Sequence, residues 1–442
     1  MADPLLEKRK SSDQGQTMQD DQRTLQINGR EYREPAAPIV VVCIDGSEPE
    51  YHEKAIAAGH MPYLASLVER GGSVEAECVM PSFTNPNNLS IATGVPPSVH
   101  GICGNYFYDS TVGSEVLMND PRFLRAPTIF SEFERAGHWI AVITAKDKLR
   151  RLLGAGLKQS ICFSAELAES ATLAENGISG LLDLVGQPQP SVYSAELSEF
   201  VLAAGVRILI RDRPDLMYLS LTDYIQHKHA PGSPIANAFY AMMDGYFRQL
   251  DALGAILVIT ADHGMNAKSD EHGAPRVVFL QPHLDRWLGV GAARVILPIT
   301  DPYTAHHGAL GSFATLYLPP GADRDAVAAR LAQVPGIETV LDRESACAAF
   351  ELPADRVGDL ILIAERHTAL GTEPAHHDVS QLDKPLRSHG GLTEQRVPFL
   401  VNRELGQLPE GHRLRNFDAY WVALNYLTAA PVTAVQARRG TT

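Results

Sequence analysis

Ile39-Val-Val-Val-Cys-Ile-Asp-Gly46 is the run that decides the fold class. Six apolar residues, mostly β-branched, stand together without polar alternation. That pattern predicts a strand buried on both faces, as in a parallel sheet covered by helices on each side. The run ends abruptly in Asp45-Gly46. Three further runs repeat the plan. Trp139-Ile-Ala-Val-Ile143 leads into Thr144-Ala-Lys-Asp-Lys148. Leu216-Met-Tyr-Leu-Ser-Leu221 ends in Thr222-Asp223, and Ala255-Ile-Leu-Val-Ile-Thr260 ends in Ala261-Asp-His-Gly264. Amphipathic stretches over 61–71, 128–136, 197–212 and 235–253 read as helices. Alternating buried strands and helices predict an α/β fold with a central, mostly parallel sheet. In such open sheets the ligand crevice lies beyond the carboxyl ends of the strands. One edge is therefore expected to gather Asp45, Lys146, Lys148, Asp223, Asp262 and His263.

Composition narrows the function. The chain has 442 residues, 45% apolar and 20% charged, as in a soluble globular protein. That length predicts one large domain with a smaller one inserted or appended. The net charge of −14, from 38 basic and 52 acidic residues, argues against a nucleic-acid binder, which needs a basic face. A small anionic substrate would need a locally positive pocket, which metal ions can supply. The five cysteines (Cys43, Cys78, Cys103, Cys162, Cys347) fit neither a disulfide framework nor a CxxC metal site. No charged n-region with an apolar h-region opens the chain, and no run reaches membrane-spanning length. A cytoplasmic protein is the expectation, without nucleic-acid or membrane partners.

Outward from the strands, residues 1–36 are polar and read as an arm ending in a short strand pair around Leu25 to Tyr32. Residues 37–267 and 386–430 carry the buried-strand style, with 397–401 as a strand and 417–428 as a closing helix. Between them, 268–385 change character. Short strands over 295–298, 312–318 and 357–364 and a helix over 323–333 predict an inserted α+β cap.

Met80-Pro-Ser-Phe-Thr-Asn-Pro-Asn-Asn-Leu-Ser-Ile-Ala-Thr-Gly94 follows a strand over 72–80. Proline is tolerated in the first turn of a helix, and Gly94 is a stop signal. Thr84 is thus expected to cap a helix N-terminus, where free N–H groups favour an anion. An ordinary threonine cap has the same local pattern. Other residues raise it. Asp223-Tyr-Ile-Gln-His227 places a carboxylate and an imidazole four apart, on one face of a helix. Asp262-His263 places the two types side by side at a strand end. With Asp45, one edge holds three carboxylates and two imidazoles. Unpaired, such a cluster is costly, and divalent cations remove the cost. Asp/His ligation suits zinc, with manganese or iron also compatible. Each residue alone is as well explained by a cap, a turn or an ion pair; together they predict a metal site.

The ordered set Asp45-Gly46, Thr84-Asn85-Pro86, Asp223…His227, Asp262-His263-Gly264 and Ser388-His389-Gly390 resembles the alkaline phosphatase superfamily. More closely it resembles the nucleotide pyrophosphatase/phosphodiesterase branch, and within that the phosphonoacetate hydrolases. The resemblance covers about residues 38–427. It implies a hydrolase with two zinc ions per subunit, Asp223, His227 and His389 holding one and Asp45, Asp262, His263 and the Thr84 oxygen the other. His389 enters only through the resemblance, since His100, His272 and His307 are also followed by glycine. Asn105 matches the family's phosphate-binding asparagine. The Cys/Ser-x-Pro-x-Arg pattern of sulfatases is missing. The implied reaction runs through a phosphothreonine on Thr84, which water hydrolyses.

Substrate choice rests on Lys146 and Lys148, which lie the same way along a strand or converge in a short loop. In phosphonoacetate hydrolases two such lysines grip the substrate carboxylate. A solvated basic loop running on to Arg150 and Arg151 is the competing reading. Three functions follow: carbon–phosphorus hydrolysis of phosphonoacetate, a phosphodiesterase or nucleotide pyrophosphatase with an aromatic slot from Tyr106, Phe107 and Tyr108, or an inactive binding protein. The expected partners are a small anionic phosphonate and, in a homodimer, a second copy of the chain. The roles of His306, His307, His376 and His377 stay open.

Overall fold

The computed structural model describes residues 23–299, 309–379, 382 and 384–431. Its main sheet has seven strands, in the spatial order Ser73–Glu77, Arg396–Val401, Ile256–Thr260, Ile39–Cys43, Leu216–Ser220, Ile140–Thr144, Ile161–Ser164. The last five run parallel, and the first two join antiparallel at one edge. The strand Ile39–Cys43 is buried at every position, as its unbroken apolar run requires. Its residues alternate between two cores. Ile39, Val41 and Cys43 join one face, and Val40, Val42 and Ile44 the other. Helices cover both faces, including Glu196–Arg211 and Pro234–Ala252 on the second. The predicted α/β class and its mostly parallel sheet are what the chain adopts.

A second sheet has four antiparallel strands, in the order Arg294–Ile296, Phe313–Tyr317, Leu360–Ala364, Ile337–Asp342. Helices Arg324–Leu331 and Arg343–Phe350 flank it. Its apolar face joins the first core, where Phe313 meets Phe83 edge-on. The chain leaves the main sheet after Thr260 and returns at Arg396. On the way, Asn266–Ala267 pairs with Arg387–Ser388.

Three local readings need correction. The strand Ile337–Asp342 was not expected, because Ile-Glu-Thr-Val-Leu-Asp carries charge and is only half-buried. The closing helix is shorter than 417–428. It spans Ala419–Asn425, and Leu427–Pro431 turns into a strand against Arg403–Leu405. Edge pairing there overrides local propensity. The helix after Met80 runs Thr84–Thr93 with Phe83 at its N-cap. Thr84 is thus the first helical residue and not the cap, and its hydroxyl is not spent on capping. Among the described residues no helix is long and apolar enough to cross a membrane.

The Thr84 helix is anchored at its far end. Gly94 has φ 70°, and the strand pair Thr24–Ile27/Arg30–Arg33 closes over it. Asn28 Nδ2 donates to Thr93 O at 2.8 Å and Arg30 Nη1 to Gly94 O at 2.9 Å. A Cβ at Gly94 would run into the Tyr32 hydroxyl. Gly94→Ala should therefore cost about 2–4 kcal/mol in urea unfolding, from the left-handed backbone plus the clash. Gly137→Ala, at φ 99° with open space around it, should cost only about 1–2 kcal/mol.

On the other face of the sheet, His52 of the helix Pro49–Ala57 lies edge-on to Tyr240 at 5.2 Å, with neither ring nitrogen hydrogen-bonded. Burial pushes its pKa down to about 4 from 6.5. Between those values the unfolded chain takes up a proton that the folded chain refuses, so stability falls as pH falls through that window. His52→Phe should flatten this acid limb by up to about 3 kcal/mol, read from urea midpoints at pH 7 and pH 4.

Candidate active site and metal-binding groups

Strand register assembles the site. Thr260, Cys43, Ser220 and Thr144 are neighbours across four adjacent strands. Two residues beyond that row stand Asp262, Asp45 and Lys146, and three beyond it stands Asp223. Asp223 is the N-cap residue of the short helix Tyr224–Lys228, which brings His227 round to it, Nε2 to Oδ2 2.8 Å.

Two groups of potential ligands result. Asp45, Asp262 and His263 form one, and Asp223, His227 and His389 the other; within each, the offered atoms lie within 4.8 Å of one another. The groups adjoin, since the His263 and His389 rings stack with centroids 3.7 Å apart. Thr84 Oγ1 lies 3.3 Å from His263 Nε2, which is 3.4 Å from Asp45 Oδ1.

The imidazoles are held alike. His227 Nδ1 meets Arg387 O at 2.8 Å, His263 Nδ1 meets Gly264 O at 2.9 Å, and His389 Nδ1 meets Ser82 O at 2.8 Å. A carbonyl only accepts, so each proton sits on Nδ1 and each Nε2 lone pair faces inward. Inward lie carboxylate oxygens, which also only accept. Asp45 Oδ1 is buried with no hydrogen-bond partner. Burial, then Asp223 and Asp262, push the Asp45 pKa well up; burial, then His263 and His227, push the His389 pKa well down. A cluster in which imidazole Nε2 atoms face carboxylate oxygens fits divalent cations, and outer hydrogen bonds of this kind orient metal ligands.

A further orienting residue escaped the sequence reading. Asn88 Nδ2 donates to Asp262 Oδ2 at 3.0 Å, while its Oδ1 accepts from Tyr218 and Ser220. Its signal was its place four residues after Thr84, inside a helix whose polar residues are buried. Arg387 is another, donating to Gln226 O and Met265 O from beneath His227.

Thr84, Asn105, Lys146, Lys148, Asp223 and His389 line one cavity of about 430 Å³. Glu166 and Tyr193, unremarked in the sequence, also line it. Asn105 is held through its backbone, its N–H donating to Pro298 O and its carbonyl accepting from Met118 N–H, and its side-chain amide has no hydrogen-bond partner among the described residues. Lys146 and Lys148 do not lie along a strand; Lys146 is in the short connection that follows one, and Lys148 is helical. Lys146 is the N-cap residue of the helix Asp147–Leu153, and Lys148 lies in its first turn. Arg150 and Arg151 do not prolong a solvated basic run; both fold back on Asp147, at 2.6 and 3.0 Å. Tyr106, Phe107 and Tyr108 do not line this cavity. His306 and His307 lie outside the described residues. His376 pairs with Glu373 at 3.0 Å and His377 Nε2 accepts from Thr372 N–H, both away from the cavity.

Residues 39–392 match the family described as type I phosphodiesterase / nucleotide pyrophosphatase. The chain belongs to this family. It is thereby a hydrolase of the alkaline phosphatase superfamily, whose members are metallohydrolases. A crystal structure of phosphonoacetate hydrolase from Sinorhizobium meliloti 1021 in complex with phosphonoformate is 58% identical, with TM-score 0.89 over 92% of this chain and 100% of that one. The same protein in complex with phosphonoacetate is 57% identical with the same TM-score and coverage. Murine ectonucleotide pyrophosphatase / phosphodiesterase 5 in complex with AMP shares the fold, at 20% identity and TM-score 0.60 over 90% of this chain and 97% of that one. Among curated relatives, an uncharacterised pyrophosphatase/phosphodiesterase of Schizosaccharomyces pombe is 33% identical over 99 residues, 22% of this chain. The chain spans only 19% and 13% of the lengths of the first two such family relatives. Phosphonoacetate hydrolase of Penicillium oxalicum is 55% identical over 42 residues, 9% of this chain and 58% of that one.

A family metal site of this kind has a direct test. Zinc at about 100 times its Kd should stabilise chelator-treated protein by about 2.7 kcal/mol, read as a rise in melting temperature. His389→Ala should retain fewer ions by elemental mass spectrometry. A melting temperature indifferent to zinc, manganese and iron sinks the metal reading.

Proposed function

We propose that this hydrolase cleaves the carbon–phosphorus bond of phosphonoacetate, giving acetate and phosphate. One observation carries the reading: a single cavity is lined by Thr84, by Asp45, Asp223 and His389 of the Asp/His groups, and by Lys146 and Lys148. That matches a dianionic head and a carboxylate tail. The identity to phosphonoacetate hydrolase over 92% of the chain supports it.

In this reading Asp223, His227 and His389 hold one zinc ion, and Asp45, Asp262, His263 and the Thr84 oxygen hold the other. Two zinc ions held there would polarise the phosphoryl oxygens and make the Thr84 hydroxyl more acidic. Thr84 Oγ attacks phosphorus, and the Oγ–P bond forms as the P–C bond breaks. The electron pair leaves on carbon as the enolate of acetate, which takes a proton to become acetate. Lys146 and Lys148 hold the carboxylate and stabilise that enolate charge. Asn105 donates its free amide N–H to the phosphoryl group. Water then hydrolyses the phosphothreonine and releases phosphate. An acceleration of about 10⁶ needs about 8 kcal/mol, more than one hydrogen bond supplies.

A phosphodiesterase needs a slot for its second ester group. Phe107 packs on Phe123 and the aromatic trio is absent from the cavity wall, which counts against that reading. Convergence of Thr84 and both Asp/His groups counts against an inactive binding protein. The same reading divides the chain into an arm, 1–36, a core, 37–267 and 386–430, and a cap, 268–385; the pairing of Asn266–Ala267 with Arg387–Ser388 supports that division. Five free cysteines, four of them buried, support a reducing, cytoplasmic setting.

Phosphorus NMR of zinc-loaded protein with phosphonoacetate tests the reaction. Inorganic phosphate should appear, be abolished in Thr84→Ala, and fall about 100-fold in kcat/KM in Lys146→Ala, about 2.7 kcal/mol of lost transition-state binding. Brisk cleavage of a nitrophenyl phosphodiester with phosphonoacetate untouched overturns the assignment.

A further inference from the structure

Around the two lysines the cavity wall is a clasp of three segments. Lys146, Asp147 and Lys148 open the helix Asp147–Leu153, Glu166 stands on the 3-10 turn Ala165–Ser170, and Val192 and Tyr193 follow on a loop. Glu166 Oε2 accepts the backbone N–H of Asp147, the residue between the two lysines, at 2.8 Å. Val192 O accepts from Lys146 Nζ at 2.6 Å, and the same ammonium lies 5.2 Å from the Tyr193 ring centre. Gln189 ties the loop to the Glu166 turn, its Nε2 donating to Ala165 O at 2.8 Å and Glu166 O at 3.1 Å.

The clasp has an electrostatic problem. Two ammonium groups two residues apart repel each other, and Lys146 is half-buried. Burial lowers the pKa of Lys146, and Lys148 adds to that; Glu166 opposes it first, ahead of Asp223 and Asp45. Under the proposed function Asp45 and Asp223 are committed to metal ions. Glu166 is then the carboxylate left in the cavity wall to balance the lysines. A carboxylate in a pocket for a carboxylate would ordinarily repel its ligand. Here Oε2 is turned onto a backbone N–H, so the residue holds the lysine segment from behind.

We propose that Glu166 is a positioning residue for carboxylate recognition: it fixes the Asp147 backbone and balances the lysine pair, so that Lys146 and Lys148 converge on the substrate carboxylate. This rests on the reading of the site as a phosphonoacetate hydrolase. Glu166→Gln keeps an acceptor for the Asp147 N–H and removes only the charge; Glu166→Ala removes both. In zinc-loaded enzyme, Glu166→Gln should raise the KM for phosphonoacetate about 10-fold with kcat changed less than about 2-fold, and Glu166→Ala should raise it further. The inhibition constant of inorganic phosphate, which lacks a carboxylate, should stay within about 2-fold in both. A merely structural role would weaken phosphate and phosphonoacetate together, and that result overturns the proposal. So does an unchanged or lower KM in Glu166→Gln. Wild-type enzyme that leaves phosphonoacetate intact instead overturns the underlying function, a failure distinct from active enzyme with indifferent variants.

Discussion

Everything at this site depends on the parallel register of four adjacent strands. Thr260, Cys43, Ser220 and Thr144 stand in one row, so each strand stops at the same height. The polar residues that follow are thereby delivered to one crevice without any long loop having to be ordered. Such a register is tightly specified because both faces are buried. A slip of one residue would exchange every side chain between the two cores. The hydrophobic effect that stabilises the sheet therefore also fixes where the acidic residues go.

Those acidic residues are kept ready by groups that do no chemistry. Each imidazole spends its Nδ1 proton on a backbone carbonyl, from Arg387, Gly264 or Ser82. Asn88 holds one oxygen of Asp262 and is itself held by Tyr218 and Ser220. The backbone N–H groups of Gly46 and His263 hold the other oxygen. The inner faces of the groups are left as acceptors, which is the condition a cation meets. Rigidity comes from the sheet and from the Thr84 helix, whose C-terminal carbonyls are clamped by Asn28 and Arg30.

The cavity sets a second requirement where Lys146 and Lys148 line it, since positive charge must be held together there. The fold answers with backbone contacts from three segments: Glu166 to Asp147, Lys146 to Val192, and Gln189 to the Glu166 turn. Charge on the whole chain is −14, yet the wall facing the tail of the proposed substrate carries two lysines. Net charge limited the class of partner; local arrangement decides what the cavity accepts.

Much of this was open to reading from the residues. Unbroken apolar runs such as 39–44 and 255–260 identify buried parallel strands, because only residues flanked by cores on both sides dispense with polar alternation. The four-residue spacing of Asp223 and His227 places them on one helical face for the same geometric reason. Other features have no local signal. Thr84 begins the helix where its context also allowed a cap, since the start is decided by packing around Phe83. Ile337–Asp342 becomes a strand because Leu360–Ala364 offers a partner edge. Asn88 and the carbonyls behind His227 and His389 act across more than a hundred residues of chain, and Glu166 reaches Asp147 across 19. Periodicity and residue chemistry are properties of a segment and are determined by sequence alone. The tautomer of an imidazole, the partner of a buried amide and the convergence of two lysines are properties of distances between segments, and only the tertiary structure decides those.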